Sequence, residues 1–236
     1  MIKHKLALAL VAMGAALILT FGSSTVRGEL IFSDSFQYPS GPLAGQGPPT
    51  GAPPGQTAWS ALAGDPQVSI AGLLFPRVFS AGGAAALSDT GSGGDNAIAN
   101  FSAVSTGIVW VSFLFQGGGS GYAVAGVGQY GPGWGLLFNK FVYGIDNDNG
   151  QQALTSISPS GGTDWLVVKL NFQRRLQSLY VNPTSGVDGP VVPDATLTMP
   201  FSSFSQIRIG EGYNNTTNLF DEVRIGTTFH DVRRGQ

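Results

Sequence analysis

Few residues of this chain can do acid–base or metal chemistry, and their placement narrows the options. Beyond the first 28 residues there are three glutamates, Glu29, Glu211 and Glu222, one histidine, His230, and no cysteine. A glycosidase needs two carboxyls about 5–5.5 Å or about 6.5–9.5 Å apart across a cleft. Glu29 stands at a terminus, Glu211 falls in an expected loop, and Glu222 lies on an expected strand, where Arg208 or Arg224 would explain it as a paired carboxylate. His230 sits six residues from the end among Asp231, Arg233 and Arg234; a Ser/His/Asp centre needs a rigidly held imidazole, which a chain end seldom supplies. One histidine and no cysteine exclude a structural zinc site.

Two kinds of binding chemistry remain. Asp146-Asn147-Asp148-Asn149-Gly150 offers alternating side-chain oxygens, with Asp146 and Asp148 as ligands for a Ca²⁺ ion that takes six to eight oxygens. The glycine arrives one place early for an EF-hand and no glutamate follows at the twelfth position, and an Asx-rich hairpin turn explains the same residues. Aromatic rings beside polar groups suit a sugar, whose apolar face stacks on them. Tyr130, Trp134 and Tyr143 lie close in sequence to Asn147, and Tyr213 with Asn214 and Asn215 forms a second such group. The expected carbohydrate-binding set is therefore Tyr130, Trp134, Tyr143, Asn147, Tyr213 and Asn214. Trp134, inside Gly131-Pro-Gly-Trp-Gly135, fits exposure and burial equally, whereas Trp110 and Trp165 read as core. Gly117-Gly-Gly-Ser-Gly121 has no following helix or lysine to make it a phosphate loop, so it reads as a turn.

The elements that position these residues read as strands. Ile108 to Phe115, Tyr122 to Val127, Gly135 to Phe138, Phe141 to Ile145, Trp165 to Phe172, Leu176 to Val181, Ile207 to Ile209 and Leu219 to Ile225 are rich in β-branched and aromatic residues, with turn chemistry between them. No stretch after residue 28 sustains a helical period. Runs 108–115 and 165–172 are too continuously apolar for a sheet with one wet face, so two packed antiparallel sheets are expected. Gln173, Arg174 and Arg175 fit the basic tip of a hairpin. Leu219 to Phe229 reads as a buried closing strand with Leu219, Asp221, Val223 and Ile225 on one face and Phe220, Glu222 and Arg224 on the other. Leu30 to Phe36 is expected beside it in the same sheet. Ile207-Arg-Ile-Gly210 and Val223-Arg-Ile-Gly226 echo each other 16 residues apart and are expected to pair. The Pro- and Gly-rich segment 41–55 cannot be a central strand.

Lys3 and Lys5, an apolar run over 6–21 and small polar residues to Gly28 make residues 1–28 an expected signal peptide. The 16-residue run is shorter than the roughly 20 that a spanning helix needs, so cleavage before Glu29 is expected rather than retention as an anchor. Residues 29–236 then form one all-β domain, secreted or periplasmic, without disulfides. Nine basic residues face 14 acidic ones in it, which leaves no basic stripe for nucleic acid. Only 11% of the whole chain is charged, against a typical ~25%.

SDSFQYPSGPLAGQ near the start, VWVSFLFQ in the middle, LYVNPTSG with PDAT later and FDEVRIGTTF at the end resemble a group of exported bacterial proteins. Their single domain is similar to the concanavalin A-like lectin and glucanase superfamily, relatives of laminin-G-type sandwiches. The resemblance covers about residues 29–230 and implies a two-sheet antiparallel jelly-roll β-sandwich. Many of the group end in a sorting tail that the close at Asp231 to Gln236 lacks. Superfamily hydrolases use paired carboxylates on a concave face, and the Glu-x-Asp-x-x-Glu signature of laminarinase-type members is absent here. The expectation is a non-enzymatic lectin-like module for an extracellular glycan. A structural or adhesive surface protein and a jelly-roll glycoside hydrolase are the alternatives.

Overall fold

Runs of β-branched and aromatic residues favour extended backbone, and the chain forms strands where they occur. The computed structural model describes residues 28–78, 80–89, 93–119, 121–129, 131–184, 189–213 and 216–233. The expected signal segment, Gly28 excepted, lies outside them, as do Tyr130, Asn214 and Asn215. The first strands are β1 (Leu30–Asp34), β2 (Gly41–Pro42), β3 (Ser60–Ala63), β4 (Gln67–Ser69), β5 (Ala84–Leu87) and β6 (Asn96–Val104). The middle of the chain gives β7 (Ile108–Gln116), β8 (Tyr122–Val127), β9 (Gly133–Leu136), β10 (Tyr143–Asp146) and β11 (Gln152–Leu154). The last are β12 (Asp164–Asn171), β13 (Leu176–Val181), β14 (Ala195–Thr198), β15 (Phe204–Gly212) and β16 (Asn218–Gly226), followed by a short helix, α1 (Phe229–Val232).

Two antiparallel sheets pack as a jelly-roll sandwich. The first runs β14-β13-β12-β7-β16-β5-β4-β2 with β1 also on β16, and the second runs β11-β10-β9-β8-β15-β6-β3. Alternation sends Val109, Val111, Phe113 and Phe115 of β7 and Leu166, Val168 and Leu170 of β12 inward, against Ala123, Ala125, Trp134, Leu136, Tyr143, Ile145, Ile207 and Ile209 of the second sheet. The other faces of β7 and β12 are also covered. Trp110, Leu114, Trp165 and Val167 pack under Leu73 and Val78 of the loop 70–83 and under Phe229 and Val232 of α1. This double cover is why both strands are apolar throughout.

β16 is central rather than closing. Its first half pairs with β5 and its second half with β1, while β7 flanks the opposite edge. The register shifts between Asp221 and Arg224, where Glu222 has φ +49°. This bulge splits the expected faces: Phe220 joins Val223 and Ile225 in the core, Leu219 packs on the outer cluster, and Arg224 turns outward. The two echoing segments do not pair, since 207–210 lies in the second sheet and 223–226 in the first. The hairpin at 173–175 and the meeting of the two ends through β1 and β16 are as expected.

β1 is fixed from both sides. Its free edge is capped by Gln56, whose amide accepts from Ser33 N at 3.1 Å and donates to Ser33 O at 3.0 Å. Asp34, 2% exposed, turns inward and accepts from Phe36 N at 2.8 Å, the Tyr38 hydroxyl at 2.6 Å and Trp59 Nε1 at 2.8 Å. The substitution Asp34→Ala strands the Trp59 and Tyr38 donors and is expected to cost about 3 kcal/mol. A fall in the urea midpoint measures it, and a loss under about 1 kcal/mol would mean that this cluster does not secure the strand.

Candidate functional site

The outer face of the second sheet carries the site. Arg208 on β15 pairs with Gly126 on β8, Gly126 with Gly133 on β9, and Gly133 with Asp146 on β10. One row across four strands therefore reads cation, two glycines, carboxylate. With strands about 4.8 Å apart, its ends stand about 14 Å apart at the backbone. Gly133 lines the floor, while Gly126 lies under the Pro132 carbonyl, which a Cβ there would meet at 2.4 Å, and the flanking side chains with the loop after β9 enclose a pocket of about 200 Å³ lined also by Tyr122, Val124, Leu137, Phe138, Asp146, Asp148 and Arg208.

Its rim is aromatic. Phe138 is 46% exposed and Tyr213 71% exposed, with ring centroids 5.3 Å apart edge to face, and Tyr122 stands 6.5 Å from Tyr213. Tyr213 is held by its backbone N–H, which donates to Asp89 Oδ2 at 2.8 Å. Tyr122 packs so closely on Gly212 that a Cβ there would fall 2.7 Å from its ring. Asp146 is held by an Asx turn: Oδ1 accepts from Asp148 N at 2.7 Å and Oδ2 from Gln152 Nε2 at 2.7 Å. Both oxygens are thus oriented by protein donors. No group of three or more metal-binding side chains occurs among the described residues. Arg208 Nη2 donates to Gly131 O at 3.4 Å, which aims the guanidinium along the pocket wall.

The structure divides the residues expected from sequence. Tyr213, Asp146 and Asp148 stand at or beside the pocket. Trp134, Tyr143 and Asn147 are buried, so none of them presents an open surface to a sugar. Each crosses the sandwich instead. Trp134 Nε1 donates to Gln177 Oε1 at 2.8 Å, Tyr143 donates to Asp164 Oδ2 at 2.7 Å, and Asn147 Oδ1 accepts from Gln177 Nε2 at 2.6 Å. Buried polar tips need partners, and the opposite sheet supplies them. Tyr130 and Asn214 fall outside the described residues. Phe138, Tyr122 and Arg208 were not expected as site residues. The available signal was the period-2 alternation, which puts Tyr122 and Arg208 outward, opposite Ala123 and Ile207.

The two interior glutamates share no cleft. Glu222, 1% exposed, lies at the β16 bulge, where Oε2 accepts from Arg224 Nε at 3.2 Å and Oε1 from Ala81 N at 3.2 Å. Its partner is therefore Arg224, not Arg208. Glu211 belongs to β15 rather than to a loop and faces the inter-sheet space, where Oε2 accepts from Asn218 Nδ2 at 2.9 Å and Oε1 finds no donor among the described residues.

No family model and no curated protein matches the sequence. Among solved structures, the chain is similar to a sialidase at 11% identity and TM-score 0.49, covering 74% of this chain and 17% of that one. It is similar to the CBM2 module of the Lactobacillus casei BL23 phage J-1 evolved Dit at 12% identity and TM-score 0.49, covering 85% and 96%. A glycosyl hydrolase family 16 protein from Mycobacterium smegmatis gives 14% identity and TM-score 0.46 over 84% and 100%. The chain thus spans under a fifth of the sialidase's length. At such low similarity, the site is read from its own residues.

Burial and the neighbouring Asp89 and Asp95 push Glu211 from an ordinary 4.5 up to about 7, against the Asn218 bond that favours its charged form. The folded state then holds this proton more tightly than the unfolded chain does. The resulting stabilisation is fully present below pH 4.5 and is lost as pH rises through about 7. Asp221, also raised to about 7 by burial, acts in the same direction. The melting temperature is expected to fall by several degrees between pH 5 and pH 8, and Glu211→Gln should flatten that slope. An unchanged slope in the variant would remove Glu211 as its source.

Proposed function

We propose that this protein is an exported, non-enzymatic carbohydrate-binding module whose ligand is one unit of an extracellular glycan. The observation that carries this reading is the row Arg208, Gly126, Gly133, Asp146 beneath exposed Phe138 and Tyr213. A sugar ring has an apolar face and an equatorial fringe of hydroxyls. The aromatic rim suits the first, while a guanidinium and a carboxylate on strands at opposite ends of the pocket suit the second. At about 200 Å³ the pocket is smaller than the ~300–1,000 Å³ typical for drug-sized ligands, in keeping with a single ring.

Binding is favoured over hydrolysis because the two carboxyls of the pocket, Asp146 and Asp148, belong to one Asx turn rather than facing each other across a cleft. Both Asp146 oxygens are held by donors, and Glu211 and Glu222 lie in different sheets.

A glycan array followed by calorimetry on the best-retained glycan tests the proposal. Tyr213→Ala and Phe138→Ala are each expected to weaken binding about tenfold, the equivalent of about 1.4 kcal/mol. Trp134→Phe, which removes the bond to Gln177 and some buried ring volume, should lower the melting temperature and leave affinity unchanged. Full affinity in the Tyr213→Ala, Phe138→Ala double variant, or no binding to any glycan, would overturn the reading.

A further inference from the structure

A larger and chemically different cavity, of about 460 Å³, opens on the other side of the sandwich. Its base is the cross-strand pair Ser33 on β1 and Arg224 on β16, which point away from the core because their neighbours Phe32 and Ile225 point into it. Ser35 and Tyr38 form one wall, and the turn around Pro48 and Thr50 forms the other.

The cavity is preformed. Arg224 is only 3% exposed and its Nε is clamped to Glu222 Oε2 at 3.2 Å. The Gln56 amide fixes the backbone of Ser33. The facing loop is anchored by Gly45 N to Trp59 O at 2.8 Å and Trp59 N to Gln46 O at 2.9 Å. It also lies against Tyr38, since a Cβ on Gly47 would meet the Tyr38 hydroxyl at 2.6 Å. No element has to move for a ligand to enter, which keeps the cost of ordering low.

Its chemistry indicates a class of occupant. Arg224 is the one charged residue on the lining and is offset by Glu222, so the site is close to neutral and has no excess attraction for an anion. Ser33 and Thr50 supply hydroxyls, each able to donate and accept, while the Ser35 hydroxyl donates to Glu222 and offers the cavity an acceptor. Tyr38 spends its proton on Asp34 at 2.6 Å, so toward the cavity it offers ring surface and an acceptor. Pro48 adds further apolar surface. Neutral hydroxyls interleaved with small apolar faces, at a volume within the range of small-molecule sites, suit a neutral polyhydroxylated ligand.

We infer that this cavity is a second saccharide site, for a neutral mono- or disaccharide unit. Combined with the pocket at Phe138 and Tyr213, and resting on the function proposed for that pocket, it makes a single chain bivalent. Its two sites face opposite ways across the sandwich, so one molecule can join two glycan strands.

The test is a titration of the ¹⁵N-labelled protein with cellobiose, maltose, lactose and laminaribiose, following backbone amides by NMR. Shifts at Ser33, Ser35 and Thr50 are expected with at least one of these sugars. Thr50→Trp, at an exposed position where the fold tolerates bulk, should fill the cavity and raise the apparent Kd for these shifts at least about tenfold, while Tyr213→Ala should leave them in place. Shifts confined to the surroundings of Phe138 and Tyr213, or shifts at Ser33 and Ser35 that persist in Thr50→Trp, would overturn the second site and leave the first standing. Shifts at the cavity alone would support it and count against the first pocket as a site for these sugars. No shifts with any of the four sugars would overturn the second site.

Discussion

The structure depends on a few hydrogen bonds that cross the sandwich. Trp134 to Gln177, Tyr143 to Asp164 and Asn218 to Glu211 each tie an inward side chain of one sheet to the other. A strand's side chains alternate with period 2, so a slip of one residue would exchange its two faces. Hydrophobic burial alone resists that slip weakly in β9 and β10, where Trp134 stands between Gly133 and Gly135 and Tyr143 precedes Gly144. The polar tips of Trp134 and Tyr143 resist it strongly, because a displaced ring would leave a buried partner unsatisfied. By holding these rings inward, the cross-sheet bonds hold Gly133, Gly135, Gly144 and Asp146 outward. The floor of the candidate pocket is the reverse side of a register fixed in the core.

β16 solves a different problem. It must pair with β7 along one edge and with two strands, β5 and then β1, along the other. The bulge at Asp221 and Glu222 lies at that fork, and both acids work locally. Asp221 Oδ2 accepts from Leu73 N and Ser80 Oγ, each at 2.8 Å, and Glu222 accepts from Ala81 N, so the acids pin the loop 70–83 that covers the outer cluster of Trp110 and Trp165. The same bulge sends Arg224 outward to the base of the larger cavity. Phe-Asp-Glu-Val-Arg is thus the sequence of a forked strand, with its charges placed by the fork.

The fold was largely legible in the sequence because β-branched and aromatic runs announce strands wherever they occur, and segments 108–115, 165–172 and 176–181 are long enough to leave little ambiguity. Strict alternation failed at 219–225, since a single left-handed residue at Glu222 changes which side chains share a face and leaves no mark in composition. Pairing by similarity failed for 207–210 and 223–226. Alike segments can serve equally well as central strands of facing sheets, and nothing local separates facing from adjacent.

The candidate site was legible only in part, and the division has a physical cause. Sequence proximity to the Asp146 turn marked Trp134, Tyr143 and Asn147 as ligands, and polar-tipped aromatics are what a sugar site needs. They are also what a sandwich needs where two sheets must be locked in register, and in both settings the residue types are the same. What separates the two uses is the partner. Trp134 has Gln177, Tyr143 has Asp164 and Asn147 has Gln177, all from the first sheet or the strand that enters it. Phe138 has no polar tip to satisfy and follows the end of β9, where alternation no longer constrains it. A large apolar ring left 46% exposed in a loop, beside the still more open Tyr213, is costly unless something covers it. The glycines beneath it are required by close packing, since a Cβ on Gly126 would meet Pro132 O at 2.4 Å and one on Gly133 would meet Val124 at 2.9 Å. The cost of the exposed rings falls on the rim of the pocket, and an apolar ligand face laid against the two rings would offset it.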